Sequence, residues 1–213
     1  MYKGIENITI CDHPLIKHKL SILRNQTISS NEFRKLMEEL SMLIGYESMR
    51  NLKLKPINIK TPVSETVTPI LAGKKPVIVP ILRAGLGMAD GVLKLLPTAK
   101  VGHIGVSRDK ITLEAKEYFC KLPSSLEHRK IYAMDPMLAT GGSAIDAISQ
   151  IKSYGGKQIK FLCMIAAPEG IDALSKAHPD VEIYCANVDE GLNEKCYIVP
   201  GLGDAGDRIF GTK

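Results

Sequence analysis

The sequence has no tryptophan, and aromatic residues fill only 5% of its 213 positions. Stacking platforms for single-stranded nucleic acid are built from aromatic rings, so their scarcity counts against that class of binder. Long apolar runs are missing too. No segment approaches the roughly 20 apolar residues of a membrane span, and the opening MYKGIENITICDHP lacks the continuous apolar stretch of a secretory signal. The five cysteines, Cys11, Cys120, Cys163, Cys185 and Cys196, lie far apart with no CxxC pair. A zinc site or a thioredoxin-type redox motif therefore has no support. Cys163 and Cys185 sit inside apolar runs, the usual setting of a free buried thiol. His13, His18, His103, His128 and His178 form no HxxxH or HExxH arrangement, which removes the common metalloenzyme signatures. A soluble protein of the reducing cytoplasm is expected.

Lys and Arg exceed Asp and Glu by five, yet there is no dense basic run. Lys53, Lys55 and Lys60, with Lys74 and Lys75 further on, are interrupted by apolar residues and proline. They read as solvated surface, so neither nucleic acid nor membrane is expected as a partner. A mildly basic surface still suits a small anionic metabolite.

What is present is an ordinary globular composition, with 45% hydrophobic and 24% charged residues. The length suits a single domain over 1–213, with a core of about 76–190 and extensions from 1–75 and 191–213. From Ser29 to Leu52, Phe33, Leu36, Met37, Leu40, Leu43 and Ile44 recur at helical spacing, and Ser29 with Glu32 has the form of a capping box. Prolines 56, 62 and 69 with Gly73 break the next stretch into short strands and turns outside the main sheet. Beyond Pro76 the rhythm changes. Val77–Leu82, Val101–Val106, Ile131–Met134, Ile159–Ala166 and Val181–Ala186 are short and apolar on both faces, as buried parallel strands should be. Helix-compatible segments, Leu86–Leu95, Ser143–Tyr154 and Ile171–Ala177, separate several of them. The expectation is an α/β fold, a mostly parallel twisted sheet flanked by helices. The tail from Gly191 is Gly-rich and loop-like, but Ile198, Val199, Ile209 and Phe210 should pack it down.

Ligands of such sheets bind beyond the carboxyl ends of the strands. Three segments fall there: Arg83–Gly87, Ser107–Asp109 and Asp135–Ser143. The last, DPMLATGGS, runs from a strand through an acid and a tight turn into a helix. Gly141 and Gly142 permit close backbone approach, and a helix start offers free N–H groups and the positive end of its dipole. Thr140 and Ser143 add hydroxyl donors. Asp135 would repel a phosphate and suits ribose hydroxyls or a metal instead. A plain strand-to-helix turn needs much less than this. Other nucleotide signatures fail: GxxxxGK followed by Ser or Thr is absent, and Gly201, Gly203 and Gly206 match GxGxxG with only seven residues to follow.

MDPMLATGGS resembles the phosphoribosyl diphosphate motif of type I phosphoribosyltransferases. That motif has two adjacent acids in its general form, and Pro136 in the second position is the form of the uracil phosphoribosyltransferases. The likeness extends through His13–Leu20, Val79–Leu93, Ala166–Tyr184 and Tyr197–Lys213, nearly the whole chain. It implies the type I fold, with an N-terminal helical segment and a C-terminal base-binding hood. It further implies conversion of uracil and 5-phospho-α-D-ribose 1-diphosphate to UMP and diphosphate in pyrimidine salvage.

By resemblance, the donor is bound by Asp135, Pro136, Met137, Leu138, Ala139, Thr140, Gly141, Gly142 and Ser143, with Arg83 and Arg108 on its diphosphate. Uracil falls to Ile198, Gly203, Asp204 and Ala205, and Asp204 also reaches the donor or its Mg²⁺ through water. The Mg²⁺ is held through the donor diphosphate and water rather than by direct protein ligands. A homodimer or homotetramer is implied, and GTP activates some relatives. The chain departs from the family at Ser107, Lys110-Ile111 and Leu113–Lys116, where a Tyr, a Glu pair and an LEPV-like stretch are expected. Two alternatives stay open from sequence: a phosphoribosyltransferase for another base, and an RNA-binding regulator on the same fold.

Overall fold

The computed structural model describes residues 5–108 and 115–212, without the side chains of 107–118. The strands are β1 (Ile8–Ile10), β2 (Leu54–Lys60), β3 (Glu65–Leu71), β4 (Val77–Leu82), β5 (Lys100–Val101), β6 (His103–Arg108), β7 (Ala115–Lys121), β8 (Lys130–Met134), β9 (Met137–Leu138), β10 (Gln158–Ala166), β11 (Glu182–Val188), β12 (Gly191–Leu192) and β13 (Ile198–Val199). The helices are α1 (Pro14–Arg24), α2 (Ser30–Ser48), α3 (Leu86–Leu95), α4 (Gly142–Ser153), α5 (Pro168–Ala177) and α6 (Ala205–Phe210).

Strict alternation of side chains along buried strands builds two cores, one on each face of the sheet. In β8, Ile131 and Ala133 enter one core while Tyr132 and Met134 enter the other. In β10, Phe161 and Cys163 likewise oppose Leu162 and Met164. The first core, under α1, α2, α3 and α6, includes Leu23, Met37, Met88 and Ile209; the second, under α4 and α5, includes Ile148, Ile151 and Leu174. Strands apolar on both faces therefore become the middle layer of a helix–sheet–helix sandwich.

The main sheet runs β1-β11-β10-β8-β4-β6-β7, with β5 beside β4 and β9 beside β10. All its pairings are parallel except the antiparallel β6–β7 edge. The helix expected from Ser29 is α2, and the capping box between Ser29 and Glu32 is formed. Its buried stripe of Phe33, Met37, Leu40 and Ile44 faces the sheet and α3. The proline-broken stretch is the β2–β3 hairpin, outside the main sheet as expected.

Four local readings change. The segment Val101–Val106 is two strands, β5 and β6, divided at Gly102. The N-terminus adds β1 to the sheet edge, with Ile8 opposite Ile183, followed by α1. A three-residue edge strand is too short to show periodicity. The C-terminal tail is not all loop: β12 pairs with β13, and α6 follows with Asp204 as its N-cap. Within it Ile198 and Ile209 are buried as expected, whereas Val199 and Phe210 stay exposed.

Candidate active site

Because β8, β4 and β6 are parallel neighbours, their carboxyl ends lie side by side. The structure thereby joins segments separated by about 50 residues of sequence. At the end of β8 the chain steps sideways at Pro136. The Asp135 N–H donates to the Leu162 carbonyl (3.1 Å), and the Pro136 carbonyl accepts from Met164 N–H (2.9 Å). The strand then resumes as β9 against Ile165 and Ala166 of β10. A residue without an N–H suits this handover, since only its carbonyl is used.

From β9 the chain turns at Gly141, where φ is +86°, into α4. No side chain caps this helix, so its first-turn N–H groups remain for a ligand. Asp135 and the residues from Met137 to Ala144 line a concavity of about 70 Å³, the size of a small anion. Gly170 of α5 presses on the loop from behind. A Cβ there would lie 2.4 Å from the Ala139 carbonyl oxygen and 2.6 Å from that of Leu138. Sequence reading missed Gly170, although a glycine in the first turn of a helix is itself a signal of close approach. Asp135 lies at the loop's root, and desolvation raises its carboxyl from an ordinary 3.8 to about 7 against the lowering pull of the Met137 N–H.

Arg83 directly follows β4, and its turn packs against the end of β8. A Cβ on Gly85 would fall 2.5 Å from the Met134 carbonyl oxygen. The Arg83 guanidinium stands 5.7 Å from the ring centre of Phe210 in α6, a cation–π contact. Gly87 lies close enough to Ile209 that a Cβ would touch its side chain at 3.0 Å. These two contacts bring the C-terminal segment to the Arg83 turn. Arg108 closes β6 rather than following it, and pairs in register with Ala115 of β7. Its side chain, and the divergent positions Lys110, Ile111, Leu113 and Glu114, lie outside the described residues.

The segment proposed for the base runs from Ile198, which is buried, through Pro200, Gly201, Leu202 and Gly203 to Asp204 and Ala205. Asp204 is exposed and uses one carboxylate oxygen to accept the Asp207 N–H (2.9 Å), capping α6. Ala205 is fully buried in the core shared with Leu202 and Ile209. The β12–β13 hairpin is tied to α5 where the Leu192 N–H donates to Glu169 (3.2 Å). A larger cavity of about 810 Å³ opens on this segment, lined by Arg24, Phe33, Tyr197, Gly203, Asp204 and Arg208 among others. Among the described residues no three His, Cys, Asp or Glu side chains cluster as a metal site, and no helix is long and apolar enough to cross a membrane.

A mostly parallel sheet with a glycine-turned loop, an adjacent arginine turn and a backbone-rich C-terminal segment has the type I phosphoribosyltransferase fold. The family model described as uracil phosphoribosyltransferase matches residues 10–212. Uracil phosphoribosyltransferase from Clostridium beijerinckii is 60% identical over 202 residues, spanning 95% of this chain and 97% of that one. The enzyme of the same description from Streptococcus pneumoniae is 59% identical over 206 residues, covering 97% and 99% of the two chains. Among solved structures, the AQ2163 protein from Aquifex aeolicus superposes with a TM-score of 0.92 at 40% identity, covering 97% of this chain and 99% of that chain. The chain belongs to the uracil phosphoribosyltransferase family and is a transferase.

Proposed function

We propose that this cleft holds the donor and uracil in the following roles. The chain transfers the phosphoribosyl group of 5-phospho-α-D-ribose 1-diphosphate to uracil, giving UMP and diphosphate. The bond between the anomeric carbon and the diphosphate oxygen breaks, a bond to uracil N1 forms, and the N1 proton leaves to solvent. The 5-phosphate sits in the Asp135–Ser143 loop, on the open first turn of α4 with Thr140 and Ser143 as hydroxyl donors. Asp135, at the root of the loop, accepts from the ribose hydroxyls when ionised.

Negative charge grows on the leaving diphosphate as the sugar becomes cationic. Arg83 and Arg108 meet that charge with guanidinium donors, the main electrostatic task of the site. The carboxylates nearby, Asp135 and Asp204, are hard oxygen ligands of the kind Mg²⁺ accepts through water while the donor phosphates supply the rest. Mg²⁺, when bound, adds further neutralisation of the diphosphate. Uracil is read by main-chain N–H and C=O groups of Ile198 and Gly203–Ala205, with apolar contact from Ile198. In this reading residues 76–190 act as the catalytic core and 1–75 with 191–213 as the hood of one domain. Cysteines that form no disulfide suit the cytoplasm.

The observation that carries the reading is the phosphate-sized concavity at an uncapped helix start whose entry residue has φ of +86°. Purified protein with Mg²⁺, donor and uracil should release diphosphate, and cytosine, orotate or purines should not replace uracil. Release with another base and not with uracil would overturn the assignment. GTP activation and a homodimer or homotetramer rest on family resemblance; adding GTP to the assay and measuring mass by light scattering test them.

A further inference from the structure

A buried carboxylate at the end of β11 has no part in the chemistry above. Asp189 follows that strand, its side chain is 0% exposed, and its N–H donates to the Ala166 carbonyl (2.8 Å). Four donors converge on its two oxygens. Arg24 supplies both prongs of its guanidinium, Nη1 to Oδ2 at 2.8 Å and Nη2 to Oδ1 at 2.5 Å. Asn187 Nδ2 donates to Oδ1 (2.7 Å), and the Gly201 N–H to Oδ2 (3.0 Å). The same Arg24 Nη1 also donates to the Gly201 carbonyl (2.7 Å). The pair, 165 residues apart in sequence, thus grips both polar groups of one backbone residue.

That residue is the pivot of the uracil segment. Gly201 has φ of +65°, and a Cβ on it would fall 2.1 Å from the Ile198 carbonyl oxygen. Ile198 lies three residues before it and Gly203–Ala205 two to four residues after. Next along, Arg208 donates to the Leu202 carbonyl (2.8 Å) and the Asn25 carbonyl (2.6 Å), tying a second peptide to the end of α1. A buried ion pair is weak support for stability, because desolvation offsets most of its attraction. What a planar fork on a carboxylate supplies is direction. Main-chain groups that read a base must be held to within about 0.5 Å, and glycine-rich backbone does not hold itself.

We infer that Arg24 and Asp189 are positioning residues for uracil: together they preorganise the Ile198–Ala205 backbone that meets the base. This rests on the uracil reading of that segment. Neither side chain takes part in the bond changes, so the effect is directed at base binding.

The test is steady-state kinetics of Arg24→Lys, Arg24→Ala, Asp189→Asn and the Arg24→Ala/Asp189→Asn double variant, with amide hydrogen exchange at Gly201. Arg24→Lys keeps the charge and loses the fork. It should raise KM for uracil about tenfold while KM for the donor and kcat stay within about twofold. Arg24→Ala should do more, and the double variant no worse than the worse single one, since the pair acts as a unit. Gly201 exchange should quicken in Arg24→Lys while amides of β10 keep their protection. Parallel rises in both KM values, with β10 protection lost, would mean general loosening and overturn the inference. So would an unchanged KM for uracil in Arg24→Lys. If Asp189→Asn does not fold, Arg24→Lys decides alone, because its side chain is 21% exposed and can be solvated. Wild-type protein that fails to turn over uracil removes the base reading and this inference with it. Active wild type with an indifferent Arg24→Lys removes only the inference.

Discussion

The two ends of the cleft are built in opposite ways. The candidate phosphate loop is nine consecutive residues, with its turn, hydroxyls and helix start adjacent in sequence, resting on the β10 backbone from Leu162 to Ala166 and on Gly170 and Ala173 of α5. The base segment is also short, but its shape is held by Arg24, Asn25, Asp189 and the core around Ile209. A phosphate can be recognised by local backbone alone, because a helix start supplies several N–H groups pointing the same way. A planar base needs donors and acceptors at set spacing, which a flexible glycine-rich turn acquires only from neighbours. In the proposed roles, phosphate binding is thus the more local property and base binding the tertiary one.

Four substitutions break or sharpen that contrast. Arg83→Ala, at the seam between the two ends, should lower kcat by about 10²–10³-fold, as loss of one transition-state charge donor does. An unchanged rate would remove Arg83 from the chemistry. Gly141→Ala places a side chain at φ of +86° with its Cβ 3.1 Å from that of Ala173. It should raise KM for the donor about tenfold and leave KM for uracil alone, the mirror image of Arg24→Lys. The left-handed strain should appear as about 1–2 kcal/mol in denaturant unfolding.

Asp135 gives a pH signature confined to the donor end. Its carboxyl titrates near 7 in the folded protein, so kcat/KM for the donor should fall as pH drops below about 7. Asp135→Asn should flatten that profile. The folded protein also keeps this proton between about 4 and 7 where the unfolded chain has lost it. The stability associated with the group is therefore fully present below about 4 and is lost as pH rises through 7. Urea titrations of wild type and Asp135→Asn across that window should diverge in that sense; parallel curves would show the carboxyl to be ordinary. Smallest of all, Ser29→Ala removes the capping box of α2 and should cost about 1 kcal/mol in stability with both KM values unchanged. A change in either KM would show the hood helix coupled to the site through its start.

The parallel core was legible because strands buried on both faces are written as unbroken apolar runs, and α3 was placed over its full length, Leu86–Leu95. The capping box fixed where α2 starts. Other features left little trace. β1 has three residues and exists by pairing with β11, whose partner residues lie 175 positions further along at each of the Ile8–Ile183, Thr9–Tyr184 and Ile10–Cys185 steps. A Gly-rich composition masked α6, which is only six residues long and depends on Asp204 and the core beneath Ile209. Gly170 looks like a poor helix residue until the phosphate loop is laid against it.

The parallel core strands, the Asp135–Ser143 loop as a candidate phosphate site and the family resemblance were legible in the sequence, because each is written in contiguous residues. The tertiary structure decided the rest. Only folding brings the end of α1 to the end of β11, sets the Arg24 fork on Asp189, and puts both onto Gly201. Neither Arg24 nor Asp189 stands in a motif that the sequence marks out. Burial, which no single residue carries with it, turns them into a fixed clamp.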